Sequence, residues 1–577
     1  MKPQRRGRLP FSNQGFDILI IGGGINGVAV ARECAQRGMR TLIVEQNDFA
    51  SGTTSRSTRI IHGGLRRLEH GDLAYARECL RERQQMMARW PHLAKPLHFI
   101  FAFPRNPLAA HRSGLALRAG LWLRQLWKGA KQREKDGTQA FEAELDAGQS
   151  FSIYSYEDAQ CEFPERIVVE WLLEAEAAGA VAANHTQALK VTRSSGRVTG
   201  ALLRDTLSGE EFNVSAAWVI NAAGAWAGRV VNESNIAAEP LADGVRGSHL
   251  VLPEFPGAPK HAVRAETADG NATMVIPWNG QLLVGTTHAP DAGDPGEVAP
   301  ERLEIDYLMN GFTRLFPASG LTRSDIRASY AGIWAAPCGE GKKTVEFGGK
   351  HVVHEHGEHG AVGLLSVTSG TLATAAAVAR DLLRRMGLVM AKPATTAFLS
   401  SSDETLEKAL QHQVRLVALK GGIGQSCAHD LTEWYGRNAL AVAQTASLDA
   451  SLRRPICSHS AHLLAEAAYS VQQEHAITLA DIVLRRVPVA LGPCWSEACS
   501  REAAARIGAV LTWDRERIAM EFEDLEAERE RFLHPRSNAL PLAVPGRETT
   551  TAAEAAWSHK RPDLRAVDLS YYVVYLT

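Results

Sequence analysis

The N-terminal part of the chain alternates apolar and glycine-rich stretches in a pattern typical of a strand, a turn, a helix and a second strand. An apolar run from Phe16 to Ile21 is followed by three glycines at 22–24 and by a helical run from Val28 to Arg37. A second strand-like run then extends from Arg40 to Glu45. Short apolar runs bounded by glycine predict buried strands, so this segment predicts one β-α-β unit.

Three glycines and one acidic residue give this unit the spacing of a dinucleotide-binding site. Gly22 permits a tight turn, Gly24 lets the backbone approach a pyrophosphate, and Gly27 lets the helix pack closely on the strand. Glu45 lies 18 residues after Gly27, where a carboxylate can accept hydrogen bonds from a ribose. The N-terminus of the helix faces the same turn and favours bound phosphate. The pattern predicts a dinucleotide cofactor but does not separate FAD from NAD.

Composition and charge narrow the class of protein. The 577 residues are 45% hydrophobic and 22% charged, which is typical of a globular chain with several domains. Lys and Arg number 63 against 64 Asp and Glu, so the net charge of -1 gives no electrostatic reason to expect a nucleic acid partner. The eight cysteines are scattered without a CxxC pair, and no export signal or long apolar run is visible. We therefore expect a cytoplasmic protein without a membrane-spanning helix.

The residues after Glu45 form a long polar loop that is rich in glycine and hydroxyl groups. Its side chains can bind a second set of phosphate and ring atoms, and they include Gln46, Thr53, Thr54 and Ser55. The loop leads into the motif His62-Gly63-Gly64-Leu65-Arg66. This combination resembles the FAD-dependent glycerol-3-phosphate dehydrogenase family of the D-amino-acid-oxidase-like flavoprotein superfamily.

The resemblance extends from Phe16 to Pro535. Further matching stretches are residues 218–226, 245–253, 275–278, 283–287, 430–436 and 476–483. The resemblance implies an FAD enzyme that oxidises a CH–OH group of a small substrate by hydride transfer to the flavin, with quinone and oxygen both open as the electron acceptor. It implies the fold class α/β plus α, with a Rossmann-like FAD-binding domain, an interleaved mixed-sheet substrate domain and a C-terminal helical domain.

The same resemblance sets the predicted domain boundaries. An N-terminal extension covers residues 1–15, and residues 16–395 hold a discontinuous FAD-binding domain made of 16–95, 165–230 and 345–395. The substrate domain is interleaved as 96–164 and 231–344. The helical domain covers 396–537, with amphipathic segments at 439–446, 462–472 and 515–533. A linker and tail of unknown role cover 538–577, and the strand-like end of the tail could pair with a sheet edge or a partner chain.

The motif and the resemblance together name the residues of the site. The predicted FAD-binding residues are Gly22, Gly24, Gly27, Glu45, Gln46, Thr53, Thr54, Ser55, His62, Gly63, Gly64, Ala223, Gly224, Gly370 and Thr371. The predicted catalytic residues are His249, Arg66, Tyr330 and His288.

These catalytic candidates have different roles. His249 is the leading candidate for the base because histidine titrates near neutral pH, with a buried structural histidine as the alternative. Arg66 would orient an anionic group, or would instead pair with Glu69. Tyr330 and His288 are weaker candidates, for which packing or support of the site is the alternative.

The sequence departs from the family where the family's substrate is held. Arg67 stands in place of a tyrosine, Trp334 in place of a phosphate-binding arginine, and Thr371 in place of a lysine. A second phosphate arginine has no match in residues 343–347, and His288 replaces an acidic residue.

The loss of these cations bears on the substrate. A phosphate dianion in a closed pocket needs fixed cationic groups, because its desolvation otherwise costs several kcal/mol. The substrate therefore either lacks that phosphate or has it held differently, by Arg67, Arg246, Lys342 or Lys343. An FAD enzyme for a non-phosphorylated hydroxy or amine substrate in a specialised pathway is one alternative function. A flavin-retaining binding protein without turnover is an alternative of another class.

Two further segments contain residue types that can bind a metal. The histidine-rich run 351–359 falls, by the resemblance, on a strand–turn–strand hairpin with Gly357 and Gly360 at the turn. Such an exposed turn seldom gathers ligands, and Cys494 and Cys499 have no paired histidine or cysteine set in the sequence. We therefore predict no metal.

Residues 112–131 contain no acidic residue and form an amphipathic pattern with tryptophans on one face and basic residues opposite. Such a helix can lie on an anionic membrane surface, and docking on its own protein is the equal alternative. The resemblance to enzymes that pass electrons to quinone favours peripheral attachment at the inner face of the cell membrane. A homodimer is also left open.

Overall fold

The computed structural model describes residues 14–64, 72–104, 151–266, 272–338, 350–388 and 403–533. The predictions for Arg66, Arg67, Lys342, Lys343, the segment 112–131 and the tail 538–577 lie outside these described residues.

The strands of the described ranges are, in chain order, β1 Gly15–Ile21, β2 Thr41–Val44, β3 Ile60–Ile61, β4 Lys95–Pro104, β5 Phe151–Gln160, β6 Val181–Ala183, β7 Thr186–Ser194, β8 Arg197–Asp205, β9 Glu211–Asn221, β10 Ala242–Pro253, β11 Ala262–Glu266, β12 Ala272–Trp278, β13 Gln281–Gly285, β14 Ala289–Pro290, β15 Ala328–Pro337, β16 Val352–Glu355 and β17 Leu364–Thr368. The α-helices are α1 Ile25–Ala35, α2 Leu73–Arg89, α3 Pro164–Ala177, α4 Ala227–Glu233, α5 Arg302–Leu315, α6 Ala375–Arg385, α7 Asp403–Gly421, α8 Gln425–Tyr435, α9 Ala439–Leu448, α10 Leu464–Gln473, α11 Glu497–Val510 and α12 Arg515–Leu533. None of these described helices is long and apolar enough to cross a membrane.

The predicted β-α-β unit is confirmed at the start of the chain. β1 and β2 pair in parallel, with Ile18 opposite Thr41, and α1 connects them. The helix begins at Ile25 rather than at Val28, because Gly24 in extended conformation serves as its N-cap. The apolar side chains of β1 and α1 are almost wholly buried, so this unit forms the centre of the first core.

The first sheet is built from segments far apart in the sequence. Its strand order is β16-β17-β9-β1-β2-β6, and β8 adds to β9 and pairs with β7. The strands from β17 to β6 run parallel, as expected for a sheet with helices on its faces. The histidine-rich hairpin is confirmed, since β16 and β17 pair antiparallel with Val352 opposite Thr368.

The second sheet lies beside the first and is mostly antiparallel. Its strand order is β14-β10-β13-β12-β11-β4-β5-β3, and β15 pairs with β10. β10 is its long central strand, with His249 opposite Tyr330 on β15 and opposite Gly285 on β13. One face of the sheet packs on α5, and the other face packs on the C-terminal helices.

The helical C-terminal part predicted from the sequence is confirmed. Helices α7 to α10 share one apolar core, while α11 and α12 pack against the second sheet. The last turn of α12 inserts Phe532 beside Tyr330 of β15, with ring centroids 5.8 Å apart. The end of this helix therefore reaches the centre of the molecule.

Buried ion pairs join the helical part to the first sheet. Arg166 of α3 donates two hydrogen bonds to Glu474, which follows α10, at 3.0 and 2.9 Å, and both side chains are fully buried. A buried pair of this kind is costly to break from one side, because the remaining charge has no water to solvate it.

Replacing Glu474 with glutamine should lower the free energy of unfolding by about 3–5 kcal/mol, since it leaves the Arg166 guanidinium buried and uncompensated. The change is measured as the shift of the urea midpoint at constant slope. The matched control is Glu211→Gln, which breaks a pair with Arg204 whose side chains are 43% exposed, and it should cost less than about 1 kcal/mol. Equal midpoints for the two variants would contradict the role of the buried pair.

Candidate functional site

A cavity of about 370 Å³ lies where the parallel strands of the first sheet end. Its wall includes residues that directly follow four strands: Gly22 after β1, Glu45 after β2, Ala222 after β9 and Ser369 after β17. In open parallel sheets, ligands bind in the crevice outside the carboxyl ends of the strands. The location is therefore that of a cofactor site.

Two glycines are required by the geometry of the first turn. Gly22 has φ of +110°, and a Cβ there would meet the carbonyl oxygen of Ala222 at 2.5 Å. A Cβ at Gly27 would lie 1.9 Å from the carbonyl oxygen of Gly22. Any side chain at either position would therefore push the helix away from the turn.

The N-terminus of α1 is open toward the cavity. Gly24 has no side chain to cap the helix, and the first turn contains no acidic residue. Asn26 lines the cavity, where its Nδ2 donates to the carbonyl of Ser369 at 3.1 Å and its buried Oδ1 has no hydrogen bond to any described residue. A helix N-terminus with an unused acceptor beside it fits the phosphates and polar edges of a dinucleotide.

Glu45 is fixed at the wall by the backbone. Its carboxylate accepts N–H groups from Gly23 at 2.7 Å and from Asn47 at 3.0 Å. Burial raises its pKa, and these two N–H bonds oppose that rise. The side chain lines the cavity, at the position where the sequence predicts a ribose contact.

The structure brings most of the predicted cofactor residues together. Those that line the cavity are Gly22, Gly24, Glu45, Gln46, Thr53, Thr54, Ala223, Gly224, Gly370 and Thr371. The predicted residues that do not line it are Gly27, Ser55, His62, Gly63 and Gly64. Gly27 lies behind the wall, in contact with the first turn, and the Ser55 hydroxyl donates to the Gly52 carbonyl at 3.0 Å. These two residues shape the wall from behind.

His62 lies next to a buried carboxylate. Its Nδ1 is 3.6 Å from Oδ2 of Asp158, while its buried Nε2 has no hydrogen bond to any described residue. Asp158 is itself held by the Gly63 N–H at 2.7 Å and by Arg83 at 3.1 Å. The arrangement orients the imidazole and leaves Nε2 for another partner.

His249 occupies a different environment from the one expected. It is 2% exposed, its Nε2 lies 3.2 Å from the Thr58 hydroxyl, and its ring stacks on Tyr330 at 4.9 Å. Burial, followed by the positive charge of Arg59, lowers its pKa to about 3. The sequence favours His249 because a histidine usually has a pKa near neutral pH. That reason is wrong for this buried ring, which carries no charge at physiological pH.

The other catalytic candidates are dispersed. Tyr330 is fully buried, donates to the Ser57 carbonyl at 3.0 Å, and has its pKa raised to about 12, first by burial. His288 is half-buried between β13 and β14 and does not line the cavity. Arg66 lies outside the described residues. Tyr330 is thus placed as a packing and hydrogen-bonding residue beneath the loop 51–58.

The two substitutions in the family's substrate region do meet at the cavity. Trp334 and Thr371 both line it, next to Ala335 and Gly370. Ser369 donates its hydroxyl to the Ala335 carbonyl at 2.6 Å and so holds β15 against the turn after β17. This part of the wall is neutral.

Sequence reasoning missed one side of the wall. Arg56 and the end of α12, with Glu528 and Arg531, line the cavity together. The Arg56 guanidinium lies 5.2 Å from the Phe532 ring centroid, and burial lowers its pKa to about 10. No motif in the sequence links α12 to the loop after β2, because only the packing of the helical part on the second sheet brings them together.

Comparison with known proteins agrees with this geometry. A family model described as FAD dependent oxidoreductase matches residues 17–382, and a model described as the C-terminal domain of alpha-glycerophosphate oxidase matches residues 376–518. A glycerol-3-phosphate dehydrogenase from Synechocystis sp. is 33% identical over 83% of this chain and 90% of its own length. Glycerol-3-phosphate dehydrogenase 2 from Mycobacterium tuberculosis is 30% identical over 89% of this chain and 88% of its own length.

Solved structures show the same fold. The glycerol-3-phosphate dehydrogenase from Bacillus halodurans complexed with FAD superposes with a TM-score of 0.73, at 22% identity, over 92% of this chain and 97% of its own. The L-alpha-glycerophosphate oxidase from Mycoplasma pneumoniae with FAD bound has a TM-score of 0.54 at 17% identity, over 67% of this chain and 98% of its own.

Replacing Gly27 with alanine should abolish or strongly reduce bound flavin, because the new methyl group would overlap the Gly22 carbonyl at the turn. The measurement is the flavin absorbance per protein chain after purification. Gly228→Ala in α4 is the matched control, since a Cβ there meets nothing within 4 Å, and it should keep full occupancy. Equal occupancy in both variants would contradict the close approach of α1 to the turn.

The glycine turn, the open helix N-terminus and the buried acceptor all fit FAD, and the matched family models cover the chain from 17 to 518. The chain therefore belongs to the FAD dependent oxidoreductase family, within its glycerol-3-phosphate dehydrogenase group, and its cofactor is FAD.

Proposed function

We propose that this chain oxidises the CH–OH group of a small hydroxylated substrate that carries no phosphate at the family's usual position. The observation that carries the proposal is the neutral wall made by Trp334 and Thr371 beside Gly370. The relatives named glycerol-3-phosphate dehydrogenase support the CH–OH chemistry. The two neutral side chains argue for a substrate with less negative charge.

Two of the described arginines are already paired with carboxylates, while Arg56, Arg229 and Arg531 also line the cavity wall. Arg246, one of the sequence alternatives, is surrounded by carboxylates of Asp291 at 2.7 Å, Glu301 at 2.5 Å and Glu304 at 2.9 Å. Arg485 at the cavity wall is likewise paired with Asp48 at 2.6 Å. A guanidinium already paired with carboxylates has little capacity left to bind a phosphate dianion.

The residues that would hold FAD follow from the wall of the cavity. We assign the pyrophosphate to the turn at Gly22 and Gly24 and to the N-terminus of α1, and the ribose to Glu45. Ala223, Gly224 and Gly370 would lie against the flavin end. Bound FAD supplies the hydride acceptor, and the chain supplies the orientation of the substrate and a place for its proton.

We assign the substrate hydroxyl proton to His62 rather than to His249. A general base works best when its pKa is close to the working pH, and His249, with a pKa of about 3, is a weak proton acceptor. His62 does not line the cavity but lies two residues after Ile60, which does; its Nδ1 is 3.6 Å from Oδ2 of Asp158, and its Nε2 has no hydrogen bond to any described residue. These contacts support a proton acceptor at His62 and a structural role for His249.

The proposals for the electron acceptor and for the cellular location come from the sequence alone. We propose quinone or oxygen as the acceptor, attachment to the inner face of the membrane through residues 112–131, and a homodimer. The amphipathic sequence pattern of basic residues and tryptophans in 112–131 supports attachment to an anionic surface.

Anaerobic mixing of the purified protein with candidate substrates should bleach the flavin faster with an uncharged polyol or a hydroxy acid than with glycerol 3-phosphate at equal concentration. The double variant Trp334→Arg, Thr371→Lys should speed bleaching by glycerol 3-phosphate at least about tenfold, the effect of one charge-assisted hydrogen bond. Flavin bleaching is followed by stopped-flow absorbance.

Thr199→Lys, on an exposed position of β8, is the control for an added charge and should leave all rates unchanged. Rapid bleaching of the wild type by sub-millimolar glycerol 3-phosphate, with none by unphosphorylated compounds, would overturn the proposed substrate class while leaving CH–OH oxidation in place.

His62→Gln should slow flavin reduction at saturating substrate by about 10²–10⁴-fold, the usual contribution of a general base, with flavin occupancy retained. His249→Gln should slow it less than about tenfold. Because the pKa of His249 is about 3, its protonation should cause no fall in rate between pH 8 and pH 5. A larger loss with His249→Gln than with His62→Gln would refute the assignment.

A further inference from the structure

A second cluster of reactive side chains lies in the helical C-terminal part, outside the FAD cavity. One ligand atom each of Cys457, His459 and Cys499 lies within 4.8 Å of the other two. The Cys499 Sγ is 3.5 Å from Nδ1 of His459. Both thiols are 1% exposed, while His459 is at the surface.

The backbone that carries these residues is held in place independently of them. The loop with Cys457 and His459 is closed by a bridge between Pro455 and Leu463, and by the Ile456 N–H donating to the His462 carbonyl at 2.9 Å. Glu502 of α11 then accepts the Ser458 N–H at 2.8 Å and its hydroxyl at 2.6 Å. The loop is therefore fastened to α11, the helix that provides Cys499.

Cys499 lies in the first turn of α11. Ser496 caps this helix by accepting the Cys499 N–H at 3.4 Å. The positive end of a helix dipole favours a negatively charged ligand such as a thiolate. A thiol at this position is thus suited to bind a cation.

Cys494 lies beside this cluster. Its carbonyl oxygen accepts from the Cys499 Sγ at 3.5 Å, and its own side chain is exposed.

We propose that Cys457, His459, Cys494 and Cys499 form a structural zinc site that staples the loop 455–463 to the start of α11. Three thiolates and one imidazole are a common tetrahedral ligand set for Zn²⁺ in proteins. In the sequence these ligands form two separate pairs, Cys-x-His at 457–459 and Cys-x₄-Cys at 494–499. Neither pair alone shows the complete ligand set. This proposal departs from the sequence prediction of no metal and of ordinary thiols at Cys494 and Cys499.

The first test is the metal content of the FAD-bound protein purified under reducing conditions without chelators, measured by inductively coupled plasma mass spectrometry. We expect one zinc per chain, lost in Cys457→Ser and in Cys499→Ser, and bound more weakly in Cys494→Ser. Cys338→Ser and Cys427→Ser are the matched controls, because these cysteines are outside the cluster, and they should keep the metal. Flavin content should be unchanged throughout.

A second measurement uses wild-type protein, so it does not depend on whether the variants fold. Wild-type protein stripped by a chelator should lose thermal stability and regain it with zinc but not with magnesium. Cobalt should give thiolate charge-transfer absorption and the intense visible bands of tetrahedral geometry. Absence of zinc after reduction and incubation with zinc chloride would overturn the proposal, as would a Cys457–Cys499 disulfide in metal-free protein. Full zinc retention by Cys494→Ser would remove Cys494 from the ligand set.

Discussion

The architecture depends on a buried carboxylate, Asp48, which fastens the C-terminal helices to the loop after β2. Arg486 binds both of its oxygens, at 2.7 and 2.8 Å, and Arg485 adds a third bond at 2.6 Å. Burial alone would raise the pKa of Asp48, but the two guanidinium groups hold it below its ordinary value. Removing any one of these three side chains would leave a buried charge uncompensated, so the structure needs all three together.

The ion pairs of Asp48 with Arg485 and Arg486 also contribute to the cofactor cavity. Asp48 and Arg485 are themselves part of the wall, and the neighbouring Glu528 is bound by Arg485. The end of α12 lies against Arg56, whose guanidinium is 5.2 Å from the Phe532 ring centroid. The C-terminal helical part, which follows the FAD-binding and substrate segments in the sequence, therefore completes the wall of the cavity. Substitutions in α12 can alter the cavity without any change in the glycine turn.

Three parts of the molecule are constrained in different ways. The cofactor end is fixed by steric limits at Gly22 and Gly27, which allow few alternatives. The proposed substrate end is lined by side chains such as Trp334 and Thr371, which can change while the backbone stays in place. The cluster around Cys457 lies in neither place, so its proposed metal acts on the stability of the helical part and not on the redox chemistry.

The sequence by itself determined the β-α-β unit, the FAD turn and the helical character of the C-terminal part. These follow from local rules: apolar runs bounded by glycine, positive φ at Gly22, and the repeat of apolar positions along a helix. Tertiary structure decided what depends on contacts between distant segments. It buried His249 beneath Arg59 and Tyr330, so that a histidine expected to titrate near neutrality is neutral. It also brought Arg56 to α12, and Cys457 and His459 to Cys499. Electrostatics and ligand geometry depend on distances in space, which the spacing of residues along the chain does not encode.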